Sequence, residues 1–143
     1  MIQGNIEEMI SSEGLYIGTT VGISMRPLFK DRRDNVLIRP INGKLKKYDV
    51  PLYKRGDRYI LHRIIKITEN GYVIRGDNCD NCEFDITDEK IVGVLKGAWR
   101  KDKYFSVDNF FYKVYSRLIV FCHPLRTLYK RCRYYLSRII KRG

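Results

Sequence analysis

Tyr59-Ile60-Leu61-His62-Arg63-Ile64-Ile65-Lys66-Ile67, then Glu69-Asn70-Gly71, then Tyr72-Val73-Ile74-Arg75, is the stretch that decides how this chain folds. The first run is rich in β-branched and aromatic residues, which suit a pleated, half-buried surface. It predicts one long strand, or two with a kink. Asn-Gly between two apolar runs is a strong short-range signal for a hairpin. The third run therefore predicts a strand pairing back onto the first.

The same pattern extends outward. Short apolar runs at Tyr16–Val21, Asn35–Arg39, Asp49–Lys54, Ile91–Leu95 and Lys103–Val107 predict further strands, separated by turn residues. Pro51 inside one of them predicts an edge strand or a bulge, because proline donates no ladder hydrogen bond. Asn5–Ser12 has weak helical character, with Ile6, Met9 and Ile10 on one side. Many short strands at regular spacing predict a mainly β fold, a sheet or partly open barrel.

The C-terminal segment has a different period. Tyr115, Leu118, Ile119, Cys122, Leu125, Leu128, Tyr129, Cys132, Tyr135, Leu136, Ile139 and Ile140 recur every three to four residues, which predicts an amphipathic α-helix. Pro124 predicts a break or kink near His123. Charge divides the chain at the same place. Of the net +12 over 143 residues, nine cations with no acidic residue lie beyond Phe110, which leaves +3 for the rest. The organisation expected is a nearly balanced domain over residues 1–108 and a basic helical tail over 109–143.

Cysteines stand at 79, 82, 122 and 132. They are too sparse for a disulfide framework. Cys79-Asp80-Asn81-Cys82 has CxxC spacing, but no second CxxC or histidine pair follows to complete a zinc site, so ordinary thiols are expected. No signal peptide is expected in Met1–Thr20, which carries Glu7, Glu8 and Glu13. No stretch reaches the ~20 apolar residues of a spanning helix.

Two segments carry chemistry. In Gly22-Ile23-Ser24-Met25-Arg26-Pro27 a serine stands on a tight turn, with Gly22 free to take an unusual conformation and Pro27 fixing its own backbone. Taken alone, this reads as a plain turn serine. His62 lies in a strand-like stretch 38 residues on, where it is either a half-buried strand histidine or a base for Ser24. A serine hydroxyl needs such a base to attack at neutral pH.

The order of the segments favours the second reading. Ser24-Met25-Arg26-Pro27, Asp49-Val50, His62-Arg63, Gly76-Asp77-Asn78 and Ile91-Val92-Gly93 follow one another over residues 15–98. This ordered set resembles the type I signal peptidases and their serine-peptidase relatives. The resemblance implies a signal-peptidase- or LexA-like β-sheet domain. It also implies Ser24 as nucleophile and His62, where many bacterial members have lysine, as base. In this the chain resembles the endoplasmic-reticulum and archaeal branch. His62 would take the Ser24 proton and return it to the leaving amine.

The resemblance places an acid that orients the histidine close to Glu83 and Asp85. Asp85 is the preferred candidate and Asp88 the second, and Asp77 is expected to hold its own turn. For the oxyanion, the Ser24 amide is one candidate donor. Gly22 stands where many relatives have a serine hydroxyl, and a backbone amide near Gly22 is the substitute expected. No metal and no cofactor are implied.

The implied substrate is a precursor protein or peptide that loses a leader or signal segment. The implied location is peripheral, on an anionic membrane surface bound through residues 110–143. The competing reading packs the tail on the domain with its cations merely solvated. A nucleic-acid partner is not favoured, since no helix-turn-helix and no Ala-Gly self-cleavage site precede Ser24. The alternative function is a peptidase fold without catalysis that binds membrane or nucleic acid through its tail.

Overall fold

The computed structural model describes residues 6–141. Helix α1 (Ile6–Glu13) leads into β1 (Tyr16–Thr19) and, after the serine turn, β2 (Asn35–Arg39). Next come β3 (Pro51–Arg55), β4 (Arg58–Leu61), β5 (Arg63–Thr68), β6 (Gly71–Arg75) and β7 (Glu83–Ile86). A 3-10 turn (Asp88–Lys90) precedes β8 (Ile91–Arg100) and β9 (Lys103–Ser106), and helices α2 (Phe110–Phe121) and α3 (His123–Ile140) close the described chain. The fold is mainly β, with a curled half-barrel sheet and C-terminal helices.

All pairing is antiparallel. One sheet runs β1-β2-β8-β3-β4 with β9 also on β8, and the other runs β5-β6-β7. The Asn-Gly signal marks the β5–β6 hairpin, where Thr68 pairs with Gly71 across a two-residue turn. The φ of +135° at Gly71 lies outside the range of side-chain-bearing residues, and an added Cβ would meet the Ile86 carbonyl. β3 is an interior strand, not an edge: Pro51 is its first residue, and its register against β8 shifts between Leu52 and Tyr53. That meets the bulge expectation and removes the edge one.

The predicted long strand is two strands in two different sheets. The break falls at His62, between Leu61 of β4 and Arg63 of β5. The chain therefore crosses from sheet to sheet at the candidate base. A four-residue strand that the sequence reading did not expect, β7, has the sequence Glu83-Phe84-Asp85-Ile86, in which apolar Phe84 and Ile86 alternate with acidic residues.

Two apolar clusters hold the sheets. One gathers Ile10, Tyr16, Met25, Leu28, Phe29, Val36, Ile38 and Leu95, and it includes Tyr112 from α2. The other gathers Tyr53, Ile64, Tyr72, Ile74, Ile86 and Val94. Each large side chain removed from water contributes about 1.5–3 kcal/mol. Met25, Leu28 and Phe29 belong to the serine turn itself, so the first core anchors that turn from behind.

The tail is two helices. Pro124 sits in the first turn of α3, where the missing N–H has no partner to lose, and Cys122 is the junction. Asn109 caps α2 by accepting from the Phe111 amide at 2.8 Å. Tyr112 and Ser116 of α2 are buried. The boundary expected at 108/109 thus runs through a packed interface. α3 is largely exposed, and no described helix is long and apolar enough to cross a membrane.

Candidate active site

Ser24 lies on a turn in which the Arg26 amide donates to the Ile23 carbonyl and the Phe29 amide to the Met25 carbonyl. Gly22 has φ +98°, the conformational freedom expected of it. Its N–H donates to Asp31 Oδ1 at 2.7 Å. That amide is therefore engaged, and the substitute expected at Gly22 for the missing hydroxyl is not supplied by Gly22 itself. The Ser24 N–H has no protein acceptor among the described residues, which leaves it able to meet a developing oxyanion.

The segment after β6 backs this turn. The Asn78 amide donates to the Ser24 carbonyl at 2.8 Å, and Asn78 Nδ2 donates to the Ile23 carbonyl at 3.2 Å. Gly76 explains how closely the parts approach. A Cβ there would stand 2.7 Å from the Ser24 carbonyl oxygen, 2.7 Å from Cys79 Sγ and 3.0 Å from His62 Nε2. The serine turn and the histidine ring thus share one small space that only glycine leaves open. Ser24 Oγ and His62 Nε2 are not hydrogen-bonded to each other in this state. Such contacts commonly tighten only when substrate binds.

The far side of the ring meets a tyrosine and a glutamate. His62 Nδ1 lies 3.2 Å from Tyr53 Oη and 3.5 Å from Glu83 Oε1. Tyr53 has one proton, and it donates to Glu83 Oε1 at 2.6 Å. The phenol oxygen can then only accept from the ring, so Nδ1 carries the hydrogen. Nε2 is left with its lone pair toward the Gly76 and Ser24 space. Arg55 Nη1 holds the same Glu83 oxygen at 2.9 Å. Burial, then the neighbouring Glu83, pushes the Tyr53 phenol far above its ordinary range, so it stays protonated.

Asp85, the expected acid, is exposed and makes no contact with His62. The reason is an extra residue in β7. Tyr72 pairs with Ile86 and Ile74 with Glu83, so three residues of β6 oppose four of β7. Asp85 takes up the irregularity with φ +55°, a conformation aspartate tolerates better than most. Glu83 and Ile86 turn inward, and Phe84 and Asp85 turn out. Asp88 donates nothing to the site either: it accepts from Tyr72 Oη at 2.8 Å.

Burial lowers the His62 pKa below its ordinary 6.5, although Glu83 pulls the other way. The ring is neutral at pH 7, as a base must be.

Next to this open centre lies a sealed one. Arg63 and Asp77 are both buried and join by two hydrogen bonds of 2.8 and 2.9 Å. α2 covers them: Tyr115 Oη donates to Asp77 Oδ2 at 2.9 Å, and the Arg63 guanidinium lies 5.6 and 5.7 Å from the Tyr112 and Tyr115 ring centres. Burial disfavours the Arg63 charge, but the Asp77 bonds outweigh it and hold the group above its ordinary range. The structural role expected of Asp77 is thus visible as an ion pair rather than a turn cap.

Sequence reasoning passed over Tyr53, which the Tyr-rich composition disguised as one core aromatic among many. It also read His123 as a helix-face residue, whereas His123 Nε2 meets the Cys79 carbonyl at 3.0 Å. The four cysteines are free thiols, and burial raises that of Cys79. Among the described residues no three His, Cys, Asp or Glu side chains form a metal-sized cluster. Two surface cavities, of about 310 and 330 Å³, lie away from Ser24, one beside α1 and one between Leu28 and α2. In comparisons with known proteins, no family model, no curated protein and no solved structure matched the chain.

Proposed function

We propose that the chain is a serine endopeptidase of the signal-peptidase kind, and that it removes a leader or signal segment from a precursor protein or peptide. The observation that carries the reading is the orientation of His62. Its Nδ1 is tied to Tyr53 and Glu83, and its Nε2 is turned toward the space beside Ser24. In the reaction Nε2 takes the Ser24 hydroxyl proton as Oγ bonds to the scissile carbonyl carbon. The imidazolium then returns that proton to the leaving amine, and water repeats the cycle on the acyl-enzyme. Glu83, acting through Tyr53, replaces Asp85 as the acid of this reading. The Ser24 amide, which has no protein acceptor among the described residues, is the oxyanion donor of this reading. The site requires neither metal nor cofactor.

Peripheral attachment to an anionic membrane is part of the proposal. Leu125, Leu128, Tyr135, Leu136, Ile139 and Ile140 of α3 are all exposed, with Arg131, Arg133 and Arg138 among them. Such a helix suits the headgroup region, each nearby cation contributing about 1 kcal/mol.

The test is labelling with a serine-directed fluorophosphonate. Wild type is expected to be acylated at Ser24, and Ser24→Ala to lose at least about a thousandfold of the rate. Equal labelling of the two would overturn the peptidase reading. A non-catalytic module remains the second reading, favoured by the missing Ser24 Oγ–Nε2 hydrogen bond and the engaged Gly22 amide, and an unlabelled but folded wild type would select it.

A further inference from the structure

The first two turns of α3 do something that neither membrane binding nor packing requires. His123, Arg126 and Lys130 fall at i, i+3 and i+7 on one helix face. Each reaches a main-chain carbonyl of the segment that backs the serine turn. His123 Nε2 meets the Cys79 carbonyl at 3.0 Å, Arg126 Nη1 donates to the Asp77 carbonyl at 2.8 Å, and Lys130 Nζ donates to the Asn78 carbonyl at 2.9 Å. A carbonyl oxygen can only accept, so His123 carries its hydrogen on Nε2. Thr127 Oγ1 adds a bond of 3.2 Å to Asp80 Oδ1 on the same face.

Three successive carbonyls thus point at one helix, and the opposite edge of the same segment faces Ser24. The Asn78 amide bonds the Ser24 carbonyl, Asn78 Nδ2 bonds the Ile23 carbonyl, and the Asp77 amide meets Met25 Sδ at 3.5 Å. Residues 77–79 form a strip one chain thick between α3 and the nucleophile turn. Carbonyl dipoles aligned in this way repel one another unless donors face them, and charge-assisted bonds are the strongest available.

We propose that Arg126, Lys130 and His123 are positioning residues for Ser24, which act through the 77–79 strip and never touch substrate. The catalytic part of this inference rests on the peptidase reading, and the strip itself does not. The two ends of α3 then have different roles. Its first two turns hold the nucleophile from behind, and its later turns, from Arg131 on, are left to meet a surface.

The test uses the full chain and two readouts, the fluorophosphonate acylation rate and amide hydrogen exchange at Asn78. Arg126→Ala/Lys130→Ala is expected to slow acylation about tenfold or more and to speed Asn78 exchange by a similar factor. Exchange in β2 and β8 should stay unchanged. Arg126→Lys/Lys130→Arg should recover part of both effects, and Lys44→Ala/Lys103→Ala, at two exposed cations outside α3, should alter neither. If the double variant loses protection throughout β2 and β8, Lys130→Ala alone is the deciding variant, with the same two readouts expected in smaller measure. Wild-type values for both readouts in the deciding variant would overturn the proposal, as would faster Asn78 exchange with unchanged acylation. A wild type that cannot be acylated defeats the peptidase reading, and Asn78 exchange then still decides whether α3 holds the strip.

Discussion

His62 and Arg63 are neighbours in sequence, and each has a carboxylate partner, yet the two pairs behave oppositely. Arg63 and Asp77 face inward, fully buried, with two hydrogen bonds between them and two tyrosines of α2 over them. His62 faces the other way and meets Glu83 through Tyr53 at the edge of the serine turn. His62 stands at the break between the two sheets and Arg63 opens β5, so one dipeptide serves both the architecture and the site. The comparison teaches that a charge sealed on all sides is fixed in state, whereas a ring left partly open can change protonation.

Breaking the sealed pair should have the largest effect on stability. Asp77→Ala strands a buried guanidinium and is expected to cost about 3–5 kcal/mol in denaturant unfolding. A loss below about 1 kcal/mol would mean that water reaches Arg63.

Loosening the open pair should act on rate instead. Glu83→Gln keeps the shape but removes the charge that opposes the lowering of His62. Acylation is expected to fall about tenfold, roughly 1.4 kcal/mol of barrier, with stability changed little. The pH profile supplies the sign. His62 already sits below 6.5, so the acid limb of the wild-type rate should lie below pH 6.5, and Glu83→Gln should move it lower still. A limb moving upward would exclude Glu83 as the neighbour that favours the imidazolium. The same direction governs stability: the unfolded histidine binds the proton first, so stability is full above about pH 6.5 and declines as the pH falls toward the folded value.

The smallest effect is expected at the residue that sequence pattern favoured. Asp85→Asn should leave the acylation rate and its pH limb unchanged, and stability within about 0.5 kcal/mol. A tenfold loss would show that β7 rearranges to bring Asp85 inward.

Much of the frame was legible in the chain. Alternation, the Asn-Gly turn and the β-branched runs located most strands, and the change to a three-to-four period located the helical tail. Pro124 marked the junction between α2 and α3. What escaped were features of direction. β7 is only four residues long, follows a polar stretch and carries the extra residue that turns Glu83 in and Asp85 out. Tyr53 reads as a core aromatic, and it is one; only its hydroxyl belongs to the site. Arg126 and Lys130 read as two more cations of a basic helix.

The sequence by itself determined most of the segments that become strands and helices, that Ser24 stands on a glycine-permitted turn, and that a histidine–arginine pair follows in a strand-rich stretch. These depend on local backbone preference and on the periodicity of apolar residues, both written along the chain. The tertiary structure alone decided that the chain changes sheets at His62, that Glu83 and Tyr53 rather than Asp85 stand behind the ring, and that α3 grips the strip behind Ser24. Those outcomes depend on register, on one bulge and on close approach at Gly76. A one-residue difference in pairing reverses which side chains face the site, and no local pattern encodes it.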